Sequence, residues 1–417
     1  MKFAKLFGIW GLIIAGVLVD LLLGLTFYFT GSSGLVGILP RMAMLMLLIY
    51  YFIRYQKGYL FVFNFVFLYY FGSSFIVNFF RETHFHTITP EVITKLIFLP
   101  LSTGIYSLGF LKGWWDLKKI IHYLLIAATL LSFGIIIPFF FDIGFPTYFH
   151  EGVFGWRGIL LNPNDIAASF VVAIVCGTYS LFSSNRVIYS LQFVVLFAAM
   201  MLLATRASTF GALLGPALCY LFMAIIHMSY GKIHTTTYVW VTVLSAYVIA
   251  IPYAVQLIME NEYMVSKILN FISSLSAREN QTNVATIIIF EESNLVQLLF
   301  GYGPSDFFYR FQELGQFGSF HDYGKRTEVD WIDIWGSFGV VGLTLVYFNF
   351  AFGVFRAIQL LFGNPKNHYI QITFIVVFIS FVYSLVVGHV VFSPMPIIFI
   401  SPFLGYVFTN QNLVEKV

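Results

Sequence analysis

Charged residues are scarce in this chain. Lys and Arg contribute 22 and Asp and Glu 19 of 417 residues, so only 10% is charged while 59% is hydrophobic. Soluble domains are usually about 25% charged. A soluble core cannot hide so much apolar surface, and the composition therefore predicts that lipid surrounds much of the chain.

Cysteines and basic runs are equally sparse. The two cysteines, Cys176 and Cys219, lie in apolar stretches, which argues against a disulfide framework. The net charge of +3 comes without a basic cluster and gives no support for nucleic-acid binding. After Lys2 and Lys5 the chain is apolar with no small-residue cleavage site, so this stretch is predicted to be a first membrane span.

Hydropathy predicts an all-α polytopic membrane protein in which residues 1–417 form a single integral membrane domain. A window of about 19 residues is the usual length for detecting spanning helices. This window predicts about twelve membrane-spanning helices, at residues 7–29, 35–53, 59–80, 92–111, 120–140, 158–182, 187–204, 208–228, 238–258, 331–355, 369–389 and 392–409.

The basic residues predict the orientation of these spans. With the N-terminus in the cytoplasm, twelve Lys and Arg residues fall in cytoplasmic connections and only four in the short opposite ones. The positive-inside rule then places both termini in the cytoplasm. The predicted location is a bacterial cytoplasmic (inner) membrane.

One connection differs from the others in length and charge. Residues 259–330, between the ninth and tenth spans, hold 15 of the 41 charged residues, and we expect them to form an extracytoplasmic lid. Apolar residues from Tyr263 to Leu275 recur at helical spacing and predict a helix at the membrane interface. The apolar stretch from Val284 to Phe300 is expected to pack against the bundle.

Four arginines are predicted to lie toward the extracytoplasmic side, where the positive-inside rule should have removed them. They are Arg41, Arg157, Arg206 and Arg278. Guanidinium groups bind phosphate and pyrophosphate through paired donors, so these arginines are candidate substrate ligands. The alternative is that they reach lipid headgroups or pair with loop carboxylates.

An acidic segment precedes the tenth span. Glu328 is a candidate general base for a sugar hydroxyl, and His321 is its rival because it is the one histidine nearby. Asp330 is better explained by a capping box with Thr327, since anions are favoured at helix N-termini. Asp330 and His321 are also candidate substrate ligands. The alternation of acidic residues also occurs in metal-dependent glycosyltransferases, a less favoured alternative.

Polar residues interrupt the predicted sixth span. Asn162, Pro163, Asn164 and Asp165 would expose backbone carbonyls, which a membrane tolerates only beside a cavity or a partner. Asn164 is therefore a further candidate substrate ligand. Asp20, in the first span, is expected to be satisfied by a neighbouring helix.

Four segments together resemble the superfamily of O-antigen ligases and Wzy-type O-antigen polymerases. The resemblance covers about residues 150–345, and its motifs are specific only in combination with the twelve spans and one large loop. The segments are Gly158–Ala167, Thr205–Ser208, Arg278 followed by Leu299–Phe300–Gly301–Tyr302–Gly303–Pro304, and Gly339–Val340–Val341–Gly342.

The resemblance implies a GT-C-type glycosyltransferase whose donor is a glycan on undecaprenyl pyrophosphate. Arg206 and Arg278 would stabilise the departing pyrophosphate, assisted by Arg157. Glu328 stands where the family has a histidine, eleven residues before Gly339, so the identity of the base departs from the family pattern. Attack by the acceptor hydroxyl would invert the anomeric carbon, with no metal or cofactor.

Three functions remain open, and the acidic segment favours the first. A polysaccharide polymerase would transfer the glycan to another lipid-linked repeat unit, and a ligase would transfer it to lipid A–core or another envelope acceptor. A lipid-linked oligosaccharide flippase is the third, although internal repeats typical of transporters are not visible. Expected partners are the glycan donor and acceptor, membrane lipid, a flippase and a chain-length regulator, and no nucleic acid.

Overall fold

A computed structural model describes most of the chain. The described residues are 12–32, 36, 38–55, 58–81, 88–147, 155–183, 187–229, 280–315, 327, 329–388 and 390–409. The predicted ninth span (238–258) and interfacial helix (263–275) lie outside them, as do Arg278, His321 and Glu328.

Helices dominate the described residues. Between the N-terminus and residue 229 they are α1 (Ala15–Thr30), α2 (Ile38–Tyr55), α3 (Tyr59–Arg81), α4 (Ile88–Leu111), α5 (Leu117–Phe140), α6 (Pro163–Ser183), α7 (Val187–Leu203) and α8 (Arg206–Ser229). After a helical segment at 280–290 follow α9 (Leu295–Phe300), α10 (Pro304–Gly315), α11 (Asp330–Gly363), α12 (His368–Val386) and α13 (Pro394–Thr409).

The helices are long and apolar enough for a membrane protein. Seven described helices could cross a membrane by length and composition, and four shorter apolar ones accompany them. The prediction of a helical, multi-spanning protein is thereby confirmed. Each of the eleven predicted spans that fall on described residues overlaps one of these helices. A total of twelve stays a prediction.

The core of the bundle is formed by α4 and α13, whose side chains are mostly buried. The two helices approach closely where Gly405 lies against Tyr106, since a Cβ added at this glycine would stand 2.6 Å from that of Tyr106. The Ser107 hydroxyl donates a hydrogen bond of 3.1 Å to the Gly405 carbonyl. Small and polar residues thus hold helices together where lipid offers no hydrophobic driving force.

A short β-hairpin interrupts the helical pattern before α6. Strands β1 (Phe145–Pro146) and β2 (Trp156–Gly158) pair antiparallel. The predicted sixth span, 158–182, is therefore wrong at its start, because α6 begins at Pro163. Proline is favoured in the first turn of a helix since its missing N–H has no intrahelical partner there.

Residues 158–160 pass between α1 and α5 in a turn, in which the Leu160 N–H donates to the Arg157 carbonyl at 3.1 Å. Pro138 has no N–H, so it cannot bond the carbonyl of Gly134 within α5. The Ile159 N–H donates to that carbonyl instead, at 3.2 Å. The long-range bond satisfies a group that would otherwise be left unpaired among apolar side chains.

Helix α11 is broken at Gly339, whose φ is +65°. The break frees carbonyls of the preceding turn. The N–H groups of Tyr302 and Gly303 donate to the carbonyls of Gly336 and Ser337 at 3.0 and 2.9 Å. The Tyr70 hydroxyl donates to the carbonyl of Phe338 at 2.6 Å. Residues 299–303 of the third segment of the family resemblance are thus docked against the start of the fourth.

Glycine is required on both sides of this contact. A Cβ at Gly339 would lie 2.2 Å from the carbonyl carbon of Leu299, and one at Gly301 would lie 2.4 Å from the backbone of Ser337. Ala285, Ile288 and Ile289 are buried nearby. The expectation that Val284 to Phe300 packs against the bundle is correct for this face, although Phe290, Leu295 and Val296 remain exposed.

Candidate functional site

A polar cleft opens at one end of the bundle. Its cavity is small, about 40 Å³. One water molecule needs a cavity of at least about 10–15 Å³, so this cavity admits a few water molecules or one edge of a larger ligand. The polar cleft is lined by Asp20, Leu23, Arg41, Lys95, Leu160, Leu161, Asn162, Asp165, Ile166, Ser393 and Pro394.

Arg41 and Asp20 form an ion pair across the polar cleft. The Arg41 Nη2 donates a hydrogen bond to the Asp20 Oδ1, joining α2 to α1. The expectation that a neighbouring helix satisfies Asp20 is confirmed. The Arg41 side chain is still 35% exposed. Since a guanidinium has five N–H donors, it can bind a ligand without leaving Asp20.

A second cation, Lys95, enters the polar cleft from α4. Its ammonium pairs with Glu91, one turn earlier on the same helix. Glu91 itself does not line the cleft. Lys95 and Arg41 oppose the two lining carboxylates, Asp20 and Asp165, so formal charges on the lining residues cancel.

The start of α6 supplies the third wall of the polar cleft. Asp165 lies in the first turn, where the helix dipole favours a negative charge. The Asn162 amide donates to the Asp165 Oδ2 at 3.2 Å. Asn164, a predicted substrate ligand, is in the same turn but does not line the cleft. Asn162 is the exposed member of this segment.

Arg157 is held beside the polar cleft by β2. Its Nη1 donates to the carbonyl of Leu161 at 2.7 Å, and its guanidinium carbon lies 5.1 Å from the centre of the Phe145 ring. Burial lowers the pKa of Arg157 from its ordinary value. Leu161 lines the cleft together with Arg41, so Arg157 is bonded to a residue of the cleft wall.

The backbone is strained immediately before Arg206. Ala204 has a φ of +50°, a left-handed conformation that non-glycine residues rarely adopt. The Thr205 hydroxyl then accepts the Ser208 N–H at 3.0 Å and caps α8. Arg206 is the first residue of α8, and the described structure covers its backbone only. Strain of this kind often accompanies functional sites.

The hairpin joins this strained turn to the polar cleft. The Thr147 hydroxyl donates to the Leu203 carbonyl at 2.8 Å. A Cβ at Gly155 would lie 3.0 Å from the Cβ of Ala204. The turn that precedes the second segment of the family resemblance, 205–208, is therefore held by Thr147 and Gly155, which lie shortly before the first segment, 158–167.

Asp330 lies at the first position of α11 and is 2% exposed. Its Oδ2 accepts the N–H groups of Val390 and Val391 at 2.9 and 3.0 Å and the Ser384 hydroxyl at 3.2 Å. Asp330 thereby holds the chain that leads to Ser393 at the polar cleft. Whether it also contacts substrate stays a prediction.

The predicted capping box at Thr327 is wrong. Val329 is the N-cap residue of α11, and its side chain accepts no capping hydrogen bond. The Thr327 hydroxyl donates to the Asp333 Oδ1 at 2.8 Å, as does the Thr327 N–H at 3.1 Å. The N-cap lies two residues later than expected, and Asp330 and Asp333 each accept hydrogen bonds from backbone N–H groups outside α11.

The polar cleft includes residues that the sequence did not single out as ligands. They are Lys95, Asn162, Asp165 and Ser393 with Asp20. An ionisable residue inside an apolar span is itself a functional signal, and Asp20 carried it. Lys95, near the start of the predicted fourth span, carried the same signal, whereas Ser393 carried none because its proximity depends on contacts between distant helices. Within the described residues, no three His, Cys, Asp or Glu side chains form a metal-binding group.

Comparison with known proteins identifies no relative of this chain. No protein-family model matches the chain, and no curated protein matches it. The resemblance therefore depends on the four segments and on their arrangement alone.

Proposed function

We propose that the chain is a polysaccharide polymerase of the bacterial cytoplasmic membrane. It transfers a glycan from undecaprenyl pyrophosphate to the repeat unit of a second lipid-linked glycan, at the extracytoplasmic face. In this proposal twelve helices span the membrane, residues 259–330 cover the site, and both termini are cytoplasmic.

One observation supports this proposal most directly. Arg41 and Arg157 both adjoin residues of the segment 158–167, and the helix that begins at Arg206 starts beside the hairpin that carries Arg157. Arg157 donates to Leu161, which lines the same cleft as Arg41. The hairpin that carries Arg157 contacts the turn before Arg206. Arginines are costly in a membrane bundle, and a site that binds both the glycan and the pyrophosphate of one donor gives a reason for their convergence.

The reaction assigns a separate role to each charge. A hydroxyl oxygen of the acceptor attacks the anomeric carbon, and the bond from that carbon to the pyrophosphate oxygen breaks. Undecaprenyl pyrophosphate leaves with the electron pair, and its developing charge is stabilised by Arg206 and Arg278, since fixed donors act most strongly where charge develops. The hydroxyl proton passes to Glu328, and the anomeric configuration inverts.

The break in α11 bears on the alternative of a flippase. Transporters often bind substrate at discontinuous helices whose free carbonyls face a cavity. Here the carbonyls before Gly339 accept hydrogen bonds from Tyr302, Gly303 and Tyr70. The carbonyls at the break are thus occupied by hydrogen bonds from the protein itself and are not open to a substrate. This favours a glycosyltransferase over a transporter.

Deletion of the gene in its own host tests the proposal. We expect single repeat units to accumulate on undecaprenyl pyrophosphate at the extracytoplasmic face, and the wild-type gene to restore the polymer ladder. Complete polymer left on the lipid carrier would indicate a ligase. Intermediates confined to the cytoplasmic leaflet would indicate a flippase. Either of these two results would overturn the proposal.

A further inference from the structure

The polar cleft combines hydrogen-bond donors with acceptors. Asp20 and Asp165 can only accept, while Arg41 and Lys95 can only donate. Asn162 and Ser393 do both. A phosphate in the cleft would face two carboxylates with no hydrogen to donate to either. A sugar hydroxyl donates one hydrogen bond and accepts others, so vicinal hydroxyls match this combination.

The charge balance leads to the same ligand class. The two lining cations are each already paired with a carboxylate, Arg41 with Asp20 and Lys95 with Glu91. No excess positive charge is therefore available for a pyrophosphate. The remaining lining is apolar, with Leu23, Leu160, Leu161, Ile166 and Pro394. Such surface suits the C–H faces of a sugar ring.

We infer that the polar cleft is a carbohydrate subsite that binds neutral sugar hydroxyls, and that Arg41 contacts glycan instead of pyrophosphate. With about 40 Å³ inside, the cleft takes one hydroxyl-bearing edge of a sugar. Asp165 and Asp20 accept from its hydroxyls, and Arg41 donates through N–H groups that do not bind Asp20. The inference rests on the proposed function only in placing this glycan on the path of transfer.

A binding measurement tests the inference independently of polymerisation. The full chain in lipid nanodiscs is applied to an array of bacterial surface oligosaccharides, with inorganic pyrophosphate as competitor. We expect glycan binding that millimolar pyrophosphate leaves unchanged. Asp165→Asn should weaken binding about 10- to 100-fold, the effect of losing a hydrogen bond to a charged group. Asn162→Ala, at an exposed position with little bearing on folding, should weaken it as well.

The control is Asp142→Asn, which makes the same charge change outside the cleft. Asp142 has a φ of +52°, a conformation that asparagine also tolerates. The Asp142→Asn protein should bind glycan as the wild type does. No glycan binding by the wild type, binding that pyrophosphate displaces, or unchanged binding by Asp165→Asn and Asn162→Ala would each overturn the inference. A chain that binds glycan but whose deletion leaves the polymer intact would instead contradict the proposed function.

Discussion

Single residues show why a membrane bundle can hold charges near one another. Asp20 and Arg41 lie on different helices, and each would be costly in lipid without the other. The sequence identified both as unusual because their surroundings are apolar. It could not pair them, since pairing depends on how α1 and α2 pack. Asp330 is similar, because its partners are backbone groups about sixty residues away.

The arginines provide the first prediction at this scale. Arg206→Lys and Arg278→Lys should each abolish the polymer ladder, because lysine keeps the charge but loses the planar pair of donors. Loss of one such donor typically costs about 100- to 1,000-fold in turnover. Immunoblots should show normal abundance. Arg310→Lys is the control, since this exposed arginine pairs with Glu292 at 3.5 Å and should remain active. Near-normal polymer from both lysine variants would refute pyrophosphate binding by these residues.

The general base provides the second prediction. Glu328→Gln keeps shape and hydrogen bonding but cannot take a proton, so turnover should fall about 100- to 10,000-fold with donor binding retained. If Glu328 only favoured the helix N-terminus, its loss would cost about 0.3–1 kcal/mol and leave an active enzyme. The readout is the polymer ladder beside binding of the lipid-linked donor. A normal ladder from Glu328→Gln, with none from His321→Ala, would transfer the role to His321.

At the scale of elements, hydropathy located helices better than it located their interruptions. The predicted spans match helices such as α7 and α12 within a few residues, because apolar length is a local property. The hairpin before α6 and the break in α11 were missed. Both depend on hydrogen bonds between distant segments, of Ile159 with Gly134 and of Tyr302 with Gly336. Gly301 and Gly339 belong to the segments that resemble the family, and the close backbone contact between these segments explains why both positions are glycine.

The break in α11 provides the third prediction. Gly339→Ala should lower the thermal stability of the detergent-purified protein, because a left-handed non-glycine residue costs about 1–3 kcal/mol and its Cβ would also meet Leu299. Gly363→Ala is the control within the same helix. Nothing lies within 4 Å of a Cβ there, so its melting temperature should not fall. A Gly339→Ala protein that melts with the wild type would contradict the requirement for glycine.

In the whole molecule, successive long helices run in opposite directions, so every second connection lies at the same end of the bundle. The hairpin, the turn before α8 and the chain before α13 adjoin the polar cleft or its walls. Tyr179, near the other end of α6, contacts the rings of His368 and Tyr369 at the start of α12. These contacts agree with the alternation on which the predicted topology depends. The basic residues predict which end faces the cytoplasm.

Thiol labelling of intact cells provides the fourth prediction, which concerns that orientation. Ser274→Cys and Glu313→Cys should react with an impermeant reagent once any outer wall is permeabilised, because both lie in the predicted extracytoplasmic segment. Ser305 is unsuitable since its hydroxyl is buried against Thr89 at 2.7 Å. Lys366→Cys should react only after lysis. The native cysteines are buried and should give little background. Labelling of the first two sites only after lysis would reverse the topology.

The backbone bonds of Tyr302, Gly303 and Ile159 imply an unusual pattern of amide exchange with deuterated water. Connecting segments generally exchange quickly, because local opening exposes them at little cost. These three amides can open only if α11 or α5 also separates from its neighbours. We expect mass spectrometry to find them exchanging as slowly as helix interiors, while the exposed turn at Phe141 and Asp142 exchanges early. Rapid exchange at all three amides would mean that the connecting segments open while α5 and α11 stay folded. The slowest step of unfolding would then be the opening of α5 and α11 themselves.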